Sequence, residues 1–134
     1  MSDMSSPGIA DLTRLVDAFV KERDWQRFHT PRQLASAIAI EAAELMEVYL
    51  WKSDDEVGGL LATADGDREV ARELADIVIL CLSMSNRVGI DLATAVIEKI
   101  RENDCKYPAP LVRGRAEKYT HYVDHDLSSA EGQT

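Results

Sequence analysis

From Leu34 to Leu50 nearly every residue that is not glutamate is apolar or small. A helix written this way has no continuous polar face, so it must be covered on most sides rather than along one stripe. A chain of 134 residues supports one domain with its own core and is short for two. Association with further copies is then the simplest way to cover such a helix. The glutamates inside the stretch matter for the same reason, because a carboxylate taken out of water without a partner is costly.

The rest of the sequence reads as further helices. Ser6-Pro7 has the form of an N-cap followed by proline at the first helical position, and Ile9, Leu12, Leu15, Val16, Phe19 and Val20 repeat at helical spacing until about Asp24. Thr30-Pro31-Arg32-Gln33 has capping-box spacing and opens a second helix that runs to about Leu50. Lys52 to Gly66, with Ser53-Asp54-Asp55-Glu56, Gly58-Gly59 and Asp65-Gly66, has the composition of a mobile, functional loop. A third helix is expected from about Asp67 to Val88 with Gly89 just past its end. A fourth is capped by Asp91 and keeps its apolar period through Leu92, Val96, Ile97 and Ile100 until Pro108 forbids continuation. With no strand-like alternation and no repeat, the pattern predicts an all-α, four-helix bundle-type fold over residues 1–108. A polar, loosely ordered tail over 109–134 follows it.

Charge narrows the partners. Fifteen Lys and Arg against 24 Asp and Glu give a net charge of -9, which repels a nucleic-acid backbone and argues against polymeric DNA or RNA. A free nucleotide is a different matter, since a divalent cation between acidic side chains and phosphate reverses the sign of the site. Cys81 and Cys105 have no neighbour at C-x-x-C spacing, so neither a disulfide framework nor a zinc knuckle is signalled. No basic-then-apolar leader opens the chain, and no apolar run nears the roughly 18 residues that span a bilayer. A cytoplasmic protein without a membrane partner is expected.

Two pairs of acids carry the chemistry. Glu41 and Glu44 are three apart on the second helix, and Glu73 and Asp76 are three apart on the third, so each pair projects from one helix face. Both pairs lie in the most apolar stretches. On spacing alone, ion pairs with neighbouring cations explain such motifs about as well as a metal site does. Few cations are at hand, however: Arg72 is near, and the second helix has none between Arg32 and Lys52. Four converging carboxylates suit Mg²⁺ or Mn²⁺, and zinc lacks its Cys or His ligands. A di-iron carboxylate bundle needs Glu-x-x-His on two helices, and Glu44 and Asp76 stand where histidines belong. Glu47, three beyond Glu44, either joins the cluster as a general base or is a solvated edge residue, and Glu69 is read as surface.

Trp25 and Trp51 bracket the second helix, each beside a loop, placed either to stack a base or to anchor a core or an interface. His29 precedes the helix cap and can bond a base or phosphate, or serve the cap. Lys99, Asn103, Lys106 and Tyr107 share a face near the end of the fourth helix, where they can hold phosphates or answer the helix dipole.

With these residues in view the chain resembles the MazG-like, all-α nucleotide pyrophosphohydrolases, and most closely their dCTP pyrophosphatase branch. The resemblance runs from about Ile9 to Pro108. It rests on Arg23-Asp24-Trp25-Gln26-Arg27-Phe28-His29, Glu41-Ala-Ala-Glu44-Leu-Met-Glu47, Trp51-Lys52, Glu73-Leu-Ala-Asp76 and Lys106-Tyr107-Pro108, in that order. It implies Mg²⁺ on Glu41, Glu44, Glu73 and Asp76, with Glu44 or Glu47 taking the proton of the attacking water. It also implies base contacts through Trp25, His29 and Trp51, and phosphate contacts through Lys99, Asn103, Lys106 and Tyr107. The reaction would be cleavage of a nucleoside triphosphate, dCTP or a related or modified pyrimidine nucleotide, to the monophosphate and pyrophosphate. Homodimers or homotetramers and a role in nucleotide pool sanitation are further implications. One departure is Leu80, where the dCTP branch has a tyrosine. The alternative of another class is a non-catalytic helical oligomer that binds nucleotides or a protein, with its glutamates in ion pairs.

Overall fold

The computed structural model describes residues 6–120, which form two compact units, one ending at Leu92 and the other beginning at Ala93. Residues 121–134 of the expected tail lie outside the described ones. Among the described residues there are six helices: α1 (Ile9–Glu22), α2 (Pro31–Tyr49), α3 (Asp54–Leu61), α4 (Ala64–Val88), α5 (Leu92–Lys106) and α6 (Ala109–Val112). No strand occurs among the described residues.

In the first unit α4 packs chiefly on α2, and also on α1 and α3. Val20 of α1, Leu34 and Val48 of α2 and Leu82 of α4 are its buried apolar side chains. Across the α1–α4 seam the Asn86 amide donates to the Thr13 carbonyl at 3.1 Å. The start of α2 follows its sequence signal: Pro31 is the first helical residue, and the Thr30 hydroxyl accepts from the Gln33 N–H at 3.3 Å. Gly89 ends α4 in the left-handed region at φ 71°, a conformation glycine adopts without Cβ strain.

Three boundaries differ from expectation. The α1 cap is Gly8 rather than Ser6: the Asp11 carboxylate accepts from the Gly8 N–H at 3.0 Å, and this local bond sets the start two residues later. The expected loop from Lys52 to Gly66 contains a helix, α3, because Ser53 and Glu56 close a capping box. The Ser53 N–H bonds Glu56 at 2.7 Å, and the Glu56 N–H bonds the Ser53 hydroxyl at 3.3 Å. Satisfying two otherwise orphaned donors outweighs the glycines at 58 and 59. The third long helix starts at Ala64 rather than Asp67, capped by the Thr63 hydroxyl, which accepts from the Gly66 N–H at 3.0 Å. In the second unit the chain re-forms a helix after Pro108, with α6 over Ala109–Val112, and Tyr107 meets Tyr119 edge to face at 6.2 Å.

α2 is not covered on most sides within this chain. Ile40 is 59% exposed and Met46 69%.

Candidate metal centre and nucleotide site

The middle of α2 and the middle of α4 face each other, and the carboxylates meet there. One oxygen each from Glu41, Glu73 and Asp76 lie within 4.8 Å of one another. Glu41 and Glu73 are half-buried, and the Oε2 atom of each is buried with no hydrogen-bond partner. No ion pair among the described residues engages any of these acids, nor Glu44 or Glu47. Arg72, the nearby cation, does not neutralise them either.

Glu44 is exposed and stands outside the tight triplet, but a hydrogen bond joins it to Glu41. That bond is the main reason the Glu41 carboxyl is pushed up to about 7. Burial adds to it, followed by repulsion from Glu44, Asp76 and Glu73. A carboxyl that keeps its proton to neutrality in this setting is one whose charge lacks a counterion. The donor set consists of oxygens alone, two of them orphaned, and crowded negative charge surrounds them. Such a set fits a hard divalent cation with oxygen ligands.

Beside the triplet lies a polar cavity of about 320 Å³, lined by Glu44, Glu47, Glu69 and Glu73 with Val48. Glu47 therefore belongs to the rim of the site. Glu69, exposed as expected of a surface residue, lines the same cavity. Its position one turn before Glu73 was the available signal, and only the register of α4 against α2 turns that spacing into a shared cavity.

Trp25 sits in an aromatic group, edge to face with Phe19 at 5.8 Å and tilted against His29 at 6.1 Å. It is 42% exposed, so it is both anchored and open. The Nδ1 atom of His29 is buried without a partner. Trp51 is 93% exposed and holds φ at 63°, a conformation costly for a bulky side chain and common where function demands it.

Lys99, Asn103, Lys106 and Tyr107 belong to the second unit. There Lys99 and Lys106 both bind Glu102, at 2.8 and 2.6 Å. The two ammonium groups hold the Glu102 carboxyl down at about 2, and Glu102 in turn raises Lys106. The Tyr107 N–H donates to the Asn103 carbonyl at 2.8 Å.

An all-α protein whose two central helices converge on a carboxylate centre fit for a divalent ion defines the class. Within that class the chain belongs to the MazG-like family, whose model matches residues 36–121. It is 39% identical to rat dCTP pyrophosphatase 1 over 125 residues, covering 93% of this chain and 74% of that protein. The human dCTP pyrophosphatase 1 is 38% identical over 114 residues, covering 85% and 67%. The crystal structure of a pyrophosphatase from Archaeoglobus fulgidus superposes with a TM-score of 0.68 at 34% identity, over 81% of this chain and 99% of that one. No single helix among the described residues is long and apolar enough to cross a membrane.

Proposed function

We propose that the protein hydrolyses a nucleoside triphosphate, with dCTP or a related pyrimidine deoxynucleotide as substrate, to the monophosphate and pyrophosphate, and so serves nucleotide pool sanitation. The observation that carries this reading is the convergence of Glu41, Glu73 and Asp76 with two orphaned oxygens and, among the described residues, no ion pair to any of the three. The names of the relatives support the substrate.

Glu41, Glu73 and Asp76, with Glu44 through its bond to Glu41, are the residues that would hold Mg²⁺. Bound there, the ion would offset phosphate charge and acidify water. The chain's own part is then to place a base. Glu44 and Glu47 both line the cavity next to the triplet, so either carboxylate can accept the proton of a water attacking the α-phosphorus. Trp25, His29 and Trp51 are assigned to the base end, and Lys99, Asn103, Lys106 and Tyr107 to the phosphates. For the two lysines that assignment requires Glu102 to share them. The exposed Ile40, Met46 and Trp51 support a homodimer or homotetramer.

A panel of dCTP, dTTP, dATP and dGTP with Mg²⁺, read for pyrophosphate against orthophosphate, tests the reading. Pyrophosphate from dCTP is the expected product, and Asp76→Asn should abolish it while leaving helix content unchanged. Release of orthophosphate alone, or full activity of that variant, contradicts the proposal.

A further inference from the structure

Glu69 and Glu73 line two cavities. The first holds Glu44 and Glu47; the second, of about 390 Å³, is lined by Asp65, Arg68, Glu69, Arg72 and Glu73, every one of them charged. Apart from Glu69 and Glu73 the two share no lining residue. The second cavity therefore adjoins the carboxylate centre through Glu73, on a side for which the reaction proposed above has no use. Arg68 and Arg72 stand one turn apart on α4, and successive residues advance about 100° round a helix. Arg72 thus flanks Glu73 instead of pointing with it.

The two guanidinium groups are poorly engaged. Arg68 reaches Asp65 at 3.6 Å with both side chains well exposed, at 71% and 96%, a contact worth little in water. Arg72 enters no ion pair among the described residues, although Glu69 precedes it at i,i+3 spacing and Glu73 is its neighbour in the chain. With Glu73 counted to the metal centre, the rest of the lining balances two acids against two arginines. In a chain of net charge -9, such a cavity is a place beside the acids where an anion meets little repulsion. Lys99 and Lys106, the cations assigned to the phosphates so far, already share Glu102.

We infer that Arg68 and Arg72 bind the β- and γ-phosphates, the part of the substrate that departs as pyrophosphate. The water oxygen bonds to the α-phosphorus and its proton passes to Glu44 or Glu47. The bond from that phosphorus to the α–β bridging oxygen breaks, and the oxygen keeps the electron pair, so negative charge grows on the leaving pyrophosphate. Attacking and leaving oxygens lie roughly in line in such transfers. A base in one cavity and guanidinium groups in the other, meeting at Glu73, serve both ends of that line. Arginine's planar fork matches phosphate oxygens two at a time. The inference rests on the pyrophosphohydrolase reading and adds two residues to which that reading gives no role.

The test uses the full-length wild type, Arg72→Ala, Arg72→Lys and Arg68→Ala. It measures KM and kcat for dCTP, inhibition by pyrophosphate and by dCMP, and Mn²⁺ affinity by calorimetry, with thermal melting to confirm folding. Arg72→Ala should raise KM and the pyrophosphate inhibition constant together by about tenfold, the size of one charge-assisted bond. Inhibition by dCMP, which lacks the departing phosphates, should not change, and Mn²⁺ affinity should not fall. Arg68→Ala should act in the same direction, and Arg72→Lys should recover part of the loss. Pyrophosphate and dCTP affinities unchanged in Arg72→Ala and Arg68→Ala overturn the assignment. A loss shared equally by dCMP, or weakened Mn²⁺ binding, overturns it too, since the arginines would then support the centre as a whole. A wild type that releases no pyrophosphate from any nucleotide sinks the enzymatic reading instead, so the two failures are distinct.

Discussion

Glu41 keeps its proton to about pH 7 because Glu44, Glu73 and Asp76 crowd it. In the unfolded chain the same group releases its proton near 4.5. Between those two values the folded state holds a proton that the unfolded state has lost, so the metal-free protein should lose stability as pH rises from 4.5 to 7 and level off above. Glu102 acts in the opposite sense in a separate window. Its carboxyl is lowered to about 2, so its stabilisation is present above 4.5 and lost as pH falls toward 2. Thermal midpoints between pH 4 and 8 in a chelator should therefore decline through the upper window, and saturating Mg²⁺ at pH 7.5 should raise them. Glu41→Gln should flatten both responses; a slope equal to that of the wild type would place the titration elsewhere. The acid pairs were legible in the sequence because three-residue spacing on a helix fixes a common face, and because apolar neighbours withheld counterions. Glu69 was not, since its place depends on how α4 meets α2. The tie between Lys99, Lys106 and Glu102 is present at i,i+3 and i,i+4 spacing, but the same spacing also suits lysines that face a phosphate, so the sequence does not choose between the two.

α3 shows how a capping box competes with glycine content. Ser53-Asp54-Asp55-Glu56 carries a helix-start signal, yet Gly58-Gly59 and Asp65-Gly66 read as loop. These glycines are not equivalent. A Cβ at Gly58 meets nothing within 4 Å, whereas one at Gly66 would stand 2.2 Å from the Leu60 carbonyl oxygen and 2.8 Å from its side chain. Gly66 is thus the point at which α4 lets the end of α3 approach, a backbone contact that spacing alone could not reveal. Gly58→Ala, at an open helical site, should stabilise the protein by about 0.5–1 kcal/mol. Gly66→Ala must push α3 from α4 and should cost about 1–3 kcal/mol. Urea unfolding of the two variants checks the opposite signs. Equal effects would mean that α3 does not pack on α4 in solution.

At the scale of the molecule the sequence and the structure meet at the same excess of apolar surface. The composition of α2 demanded cover on most sides, and among the described residues only Leu34 and Val48 of that helix are fully buried, with Ile38, Leu45 and Tyr49 half-covered. Ile40, Met46, Leu50 and Trp51 remain exposed along that helix and just beyond it. Singly exposed apolar residues are ordinary, but several on the helix that also carries Glu41 and Glu44 are what the proposed homo-oligomer would cover. If copies of the chain cover it, the carboxylate centre is built on a helix whose position depends on assembly, and loss of the assembly should reach the active site. Met46→Glu places a charge where cover is required and is expected to shift the protein from an oligomer to a monomer in light scattering after size-exclusion chromatography. Activity should fall at least about tenfold if restoring α2 requires an interface worth even 1.4 kcal/mol. A Met46→Glu protein that stays oligomeric would move the interface to another face. One that is monomeric and fully active would show that the first unit holds its carboxylates in place without help.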